Sequence, residues 1–334
     1  MAKASPIDIE SELVQAKARR GHGFVEGAYY ETISRLATLE RSLAKIGTGA
    51  DAELYRHFPV AAISALETHF KVTVATIIDS GSPYLERGLA LGRDKLMSVA
   101  EALPLLNRRN VSAGDLVSHA LPFNSVASLE RTFSMLFDDE LKSLAKRVED
   151  PYLLRAALPG SGPIIEDVAT LWAGLAKTFE RRHILAHESA SQYAVTFDDA
   201  KQALTSIAQF AKLIDAILWT TIWKDRPLTQ YEMNMSAAKQ TRDTRAILAA
   251  RVRKALRIST EDGQRARFRS MYRAWRHYFG AWIEWQDESF TTGSIRPLFA
   301  ATNRTLAYKC QIKELSNWMA NMRLGDPPEP DIDL

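Results

Sequence analysis

Apolar residues recur along this chain at spacings of three and four, the period of a helix that turns one face from water. Strand-like alternation is scarce, so the pattern predicts an all-α protein. A first helix is expected from about Ala28 to Lys45, closed by Gly47, Thr48 and Gly49. A second runs from Asp51 to about Ile78, with Val60, Ile63, Ala65, Leu66, Phe70 and Val74 at its apolar positions, and stops at Ser80-Gly81-Ser82-Pro83. Proline is tolerated in a first turn, so another helix starts there and carries Leu85, Leu89, Leu96, Val99 and Leu103 on one face. Shorter helices follow. Ser112 caps one, with Asp115 at its third position, and the next lies around Ser125 to Leu136. Asp150-Pro151 and the stretch Leu158 to Pro163 interrupt the pattern. From Ile164 a helix runs toward His187, with Ile165, Val168, Leu171, Trp172, Leu175 and Phe179 at helical spacing. After Ser189-Ala190-Ser191-Gln192, Thr196 caps a helix from Phe197 to Trp223, with Asp198 and Asp199 in its first turn.

Arg226-Pro227 is the strongest linker signal. Three helical blocks lie beyond it, Thr229 to Leu256, Glu261 to about Phe290 and Pro297 to Met319, and Gly293 separates the last two. The expected organisation is a flexible N-terminus (residues 1–25), a helical bundle (26–225), a second small helical domain (228–320) and a disordered acidic tail (321–334). The apolar fraction of 46% and charged fraction of 25% are those of a globular protein and exclude a largely disordered or fibrous chain. The single cysteine, Cys310, allows no internal disulfide and no four-cysteine zinc site. No N-terminal stretch has the order of a signal peptide. The apolar run Phe210 to Trp223 is interrupted by Lys212 and Asp215 and is too short to span a bilayer. A cytoplasmic protein without a membrane partner is therefore expected. A net charge of +3 creates no strong global field, so any nucleic-acid contact must rely on local basic patches.

Candidate chemistry concentrates in Arg181-Arg182-His183-Ile184-Leu185-Ala186-His187. This stretch places a fixed cation, Arg182, and a titratable base, His187, near one helix end with four residues between them. Cleaving RNA without a metal needs a base for the 2′-hydroxyl proton and a cation for the phosphate. Neutral histidine suits the first task near pH 7, and the planar guanidinium fits the second. Two other readings stay open. His187 can simply place a cation at a helix C-terminus. His183 and His187, four apart with Glu188 adjacent, have the spacing of zinc ligands. Against zinc, the metalloprotease helix places its Glu directly after the first His, and no third ligand stands out.

The stretch resembles the R-x(4–6)-H motif of HEPN-family ribonucleases, in which the residue after the Arg is polar, as His183 is here. Ala65-Leu66-Glu67 resembles the early-helix segment of that family. Phe123 to Phe137 resembles the segment between its helix pairs, and Thr196-Phe197-Asp198-Asp199 with the helix behind it resembles its post-motif helix. The likeness covers roughly residues 28 to 223. It implies a HEPN-like antiparallel helical bundle and an endoribonuclease without metal or cofactor, with RNA as substrate and a homodimer that joins two motifs across a two-fold axis. Arg182 and His187 are then catalytic, and His183, Arg181, Glu188 and Glu67 supporting; Glu67 and His69 either line the same cleft or are, as their positions favour, a structural ion pair and a semi-buried histidine. The resemblance also implies a toxin or antiphage-defence effector with an antitoxin or sensor partner. The alternative within the family is a non-catalytic scaffold that binds RNA or protein.

Residues 228 to about 319 resemble a second module, the LprI-type lysozyme-inhibitor domain. The likeness rests on Thr229 to Ala237, Tyr272 to Tyr278, the turn Thr292 to Pro297 and the segment Leu306 to Leu315. That family has cysteines where this chain has Ser236, Ile283 and Thr302, and an arginine where it has Cys310. Without disulfides the module must rest on a core rich in Trp275, Trp282, Trp285 and Trp318, and a regulatory or binding role replaces lysozyme inhibition. Arg265, Arg267, Arg269, Arg273 and Arg276 interleave with Phe268, Tyr272, Tyr278 and Phe279. Such a face suits RNA backbone and stacked bases, or else is a solvated basic surface with its aromatics turned inward.

Overall fold

The computed structural model describes residues 6–19, 29–93, 98–108, 110–159, 162–188, 192–259, 262–288 and 293–322. Among the described residues the regular structure is helical, and the only pairing of extended chain is one isolated bridge between Glu149 and Pro163. The protein is all-α, as the periodicity predicts. It divides into two compact units, Met1–Asp225 and Arg226–Leu334, at the Arg226-Pro227 linker.

The first unit contains α1 (Pro6–Arg19), α2 (Tyr29–Ile46), α3 (Ala52–Tyr55), α4 (His57–Asp79), α5 (Tyr84–Gly92), α6 (Val99–Asn107), α7 (Ala113–Ala120), α8 (Val126–Phe137), α9 (Leu141–Arg147), α10 (Pro151–Arg155), α11 (Val168–His187) and α12 (Phe197–Thr220). At its centre α4 packs on α2, α7, α11 and α12. Thirteen of its 23 residues are buried, among them Phe58, Leu66, Phe70, Val74 and Ile77. A helix apolar on nearly every side belongs in a core. The segment Ala52–Asp79 is also long and apolar enough to cross a membrane, but 61% of its most apolar window is buried inside the bundle.

Several expectations are corrected. The polar N-terminus, expected to be flexible, forms α1 over Pro6–Arg19, while residues 1–5 and 20–25 lie outside the described residues. Ile9 and Leu13 pack on Leu105, Val111 and Leu116. Arg108 donates to the Glu10 carboxylate at 2.6 Å and Lys17 meets Asp115 at 2.5 Å, so long-range ion pairs anchor a helix with few apolar positions. The helix expected from Pro83 to Leu103 is two helices. Ser98 forms a capping box with Glu101 and so starts α6 afresh, and Leu89 and Leu103 are 45% and 59% exposed. The helix expected from Ile164 begins at Val168. The Ile164 N–H donates to the Val148 carbonyl at 2.8 Å, which holds the chain out of the helix until Asp167 caps α11. Helix α12 stops at Thr220, short of Trp223, where the Arg155 guanidinium donates to the carbonyls of Trp219 and Lys224 at 3.2 and 2.7 Å. The acidic tail lies outside the described residues from 323 onward.

The second unit contains α13 (Gln230–Ile258), α14 (Asp262–Glu288) and α15 (Arg296–Met322). Helices α13 and α15 pack along much of their length, and α14 rests more lightly on α15. Thr241 and Thr305 join α13 to α15 through hydroxyls 2.9 Å apart. The core comprises Leu248, Ala255, Phe268, Ile312, Leu315 and Met319, with Tyr272, Trp275 and Trp318 against it. Trp282 and Trp285, expected in this core, are instead 42% and 62% exposed.

Two stability predictions follow from the first unit. Gly114 opens α7 where it crosses α4, and a Cβ there would lie 2.3 Å from the Ala75 carbonyl oxygen. Backbone cannot give way as a side chain does, so Gly114→Ala should cost about 1–3 kcal/mol, read by urea unfolding. Unchanged stability would show that α7 is free to shift. The second concerns Asp215, partly buried on α12. Burial first, and the Asp150 charge second, push its carboxyl up to about 7. Below about pH 4 this group is protonated in both folded and unfolded chains. As pH rises toward about 7 the unfolded chain releases the proton first, so the wild type loses stability across that interval. Asp215→Asn should therefore raise the melting temperature by several degrees at pH 8 and leave it unchanged near pH 4. An equal gain at both pH values would remove titration as the cause.

Candidate functional site

Helix α11 is capped by Asp167, whose side chain accepts from the Thr170 N–H at 2.9 Å. Leu171, Trp172, Leu175 and Phe179 bury one face. Gly174 lets α11 approach α12 closely, since a Cβ at that position would stand 2.2 Å from the Ser206 hydroxyl oxygen. The buried Thr178 hydroxyl returns to the Gly174 carbonyl at 2.7 Å. The first half of α11 is thus fixed in the core, and the last turns are carried toward solvent. Glu188 takes an extended backbone, and its N–H closes on the Ile184 carbonyl at 2.9 Å.

The two arginines of the motif separate in role. Arg181 forms an ion pair with Asp199 in the first turn of α12 and a 3.4 Å hydrogen bond to Gln202. Asp199 also closes the capping box with Thr196. Burial favours protonating that carboxyl, but the Thr196 N–H and hydroxyl and the Arg181 charge outweigh it and hold Asp199 below the usual carboxylate range. Arg181, expected as a supporting residue, is committed to α12 and locks the end of α11 to the start of the next helix. The Arg56 guanidinium donates to the Tyr193 carbonyl at 2.8 Å and ties the chain beyond the motif to the start of α4. Residues 189–191 of the expected Ser/Gln loop lie outside the described residues.

Arg182 is half-buried, and its Nη1 lies 3.3 Å from Nε2 of the exposed His187. A guanidinium has donors only, so this contact is a hydrogen bond in the tautomer that leaves the lone pair on Nε2. The exposed His183 ring stands 5.1 Å from the His187 ring, tilted by 53°. One surface therefore offers a fixed cation and two imidazoles. That arrangement can hold an anion and move a proton at a neighbouring oxygen. Helix-end carbonyls lie beside it and favour the cation.

The remaining expected residues are placed elsewhere. Glu67 on α4 pairs with Lys71 at 2.9 Å, and Lys71 lines a shallow pocket with Glu12, Asp115 and His119, formed by α1, α4 and α7. Among the described residues Glu67 makes no hydrogen bond or ion pair to Arg182 or His187. His69 is 1% exposed and lies inside the bundle, so it lines no cleft. Glu188 serves through its backbone as the helix terminus. Among the described residues no group of three His, Cys, Asp or Glu side chains is arranged to hold a metal ion.

Sequence reading missed the part of Asp199. Its only local signal is the Thr196-x-x-Asp199 spacing of a capping box, which says nothing of Arg181. Comparison with known proteins adds no relative: no protein-family model, curated protein or solved structure matches this chain.

Proposed function

We propose that the first unit is a metal-independent endoribonuclease in which His187 is the general base and Arg182 the phosphate clamp. The 3.3 Å approach of Arg182 Nη1 to His187 Nε2 at the solvent-facing end of α11 carries this reading. RNA displaces that contact when it binds. Arg182 then turns to a non-bridging phosphate oxygen, and Nε2 takes the proton of the adjacent 2′-hydroxyl. The 2′-oxygen bonds to phosphorus as the bond to the 5′-oxygen breaks, which leaves a 2′,3′-cyclic phosphate and a 5′-hydroxyl. The leaving 5′-oxygen takes its proton from His183 or from water. The internal nucleophile makes a metal-activated water unnecessary. Pairing of two motifs in a homodimer supplies a second cation and base to the same cleft. In this role the protein is a toxin or antiphage-defence effector, held in check by an antitoxin or released by a sensor partner.

His187→Ala should reduce cleavage of total RNA by about 10²–10⁴-fold, the usual span for one general base. Arg182→Lys keeps the charge but loses the two-pronged fit and should lie between wild type and Arg182→Ala. Because His187 is exposed, the melting temperature of its variant should stay at the wild-type value. Full activity in a clean His187→Ala preparation would leave the chain as a scaffold.

Cleavage should persist in EDTA, and end-group analysis of the products should find 2′,3′-cyclic phosphate. A DNA strand of the same sequence, which lacks the 2′-hydroxyl, should resist. Activity lost to chelation and restored by zinc would move the assignment to His183, His187 and Glu188 as metal ligands.

A further inference from the structure

The small net charge of +3 conceals a division of sign along the chain. Residues 1–225 carry 25 lysines and arginines against 28 acids, whereas residues 226–322 carry 17 against 8. The excess is densest on α14, where residues 263–283 hold five arginines, one histidine, no lysine and no acid. A helix commonly offsets a cation with an acid three or four residues away. None lies within four residues of Arg267, Arg269, Arg273 or Arg276. Among the described residues no ion pair joins Arg269, Arg273 or Arg276 to another element.

The arginines form a row. At about 100° per residue Arg269, Arg273 and Arg276 fall within about 60° of one another, roughly a quarter turn from the face of Phe268, Tyr272, Trp275 and Phe279 that meets the core. They climb the helix axis in steps of about 6 and 4.5 Å. All three are exposed. Arg265 continues the row toward the start of α14, and its Nε donates to the Ser259 carbonyl at 2.6 Å, which ties the row to the end of α13. Burial holds the Tyr272 hydroxyl above its usual range, against the positive charges of Arg276 and of Arg245 on α13. Cations from two helices therefore act on one atom, and the exposed Arg245 widens the row on the α13 side.

We propose that this row binds the phosphate backbone of a single RNA strand and so brings substrate to the first unit. Arg269 and Arg273 are like charges four residues apart and repel each other, and a polyanion relieves that repulsion along the whole row. The row is a line, and its steps suit successive phosphates of one strand. Every cation in it is an arginine, whose planar fork fits phosphate. The fold itself gives no reason for the placement: the helix dipole favours cations in a last turn, and α14 has none there. The exposed rings of Tyr278 and Trp285 fall roughly on the opposite side of α14, so a membrane that took the rings would leave the row in water. Held on the same chain, the captured strand meets Arg182 and His187 at a raised local concentration. That recruiting role rests on the nuclease reading of the first unit; the binding does not.

Fluorescence anisotropy of a short labelled RNA with the full chain reads the binding, in a His187→Ala background so that the probe stays intact. The logarithm of the binding constant should fall linearly with the logarithm of salt concentration. Arg269→Gln, Arg273→Gln and Arg276→Gln together should make that slope shallower by about 2, since each phosphate contact on a single strand contributes about 0.7. RNAs of different sequence should weaken alike. Lysine at the same three positions should keep the slope, because the slope counts charges. All three side chains are exposed, so both variants should keep the circular dichroism and melting temperature of their parent. With His187 restored, the glutamine variant should cut RNA with a raised KM and the wild-type kcat. A chain that binds RNA through the row and cuts none would refute the nuclease and leave the binding standing. Failure to bind RNA at low salt, or a slope unchanged by the glutamines, would overturn the proposal. So would tighter binding of a DNA strand of the same sequence, or of phosphatidylserine vesicles, than of RNA. A lowered kcat at unchanged KM would overturn the recruiting role.

Discussion

Helix α4 sets the terms for the first unit, because so much of its surface cannot be left in water. Each fully buried Leu, Ile or Phe contributes on the order of 1.5–3 kcal/mol relative to exposure. Leu66, Phe70, Val74, Ile77 and Ile78 are all fully buried on this one helix. Its neighbours are placed to cover it. Phe133 on α8 meets Phe70 edge-on at 5.7 Å, and Phe210 on α12 meets Phe133 at 6.1 Å, so the contacts made by α4 extend through the bundle. Gly114 allows the backbone of α7 onto α4 where a side chain would hold it off.

That packing explains why the Arg–His pair is available at the surface. The apolar half of α11 ends at Phe179, and the next residues are charged. A helix end held only by its own hydrogen bonds would fray. Arg181 prevents this by bonding to Asp199 and Gln202, while the capping box of Thr196 and Asp199 fixes the start of α12. Adjacent arginines on a helix point about 100° apart. One therefore serves the fold, and its neighbour is left beside His187. A change at Arg181 should be felt in stability and a change at Arg182 much less, because only Arg181 bonds across to α12.

The helices were legible wherever a cap coincided with a change of pattern. Ser112, Thr196 and Thr229 each begin a helix with an acidic residue three positions on, and each forms a capping box. Ser98 with Glu101 carries the same signal and was hidden by apolar residues on both sides that continued a helical period. Helix α1 was hidden because its anchors, Glu10 with Arg108 and Lys17 with Asp115, are far apart in sequence. That Arg182 and His187 come together at one helix end was readable from their spacing. The places of Glu67 and His69 were not, because helical spacing says which residues share a face and leaves open which neighbour covers it. The same limit applies to α14, where Trp275 went to the core and Trp282 and Trp285 did not.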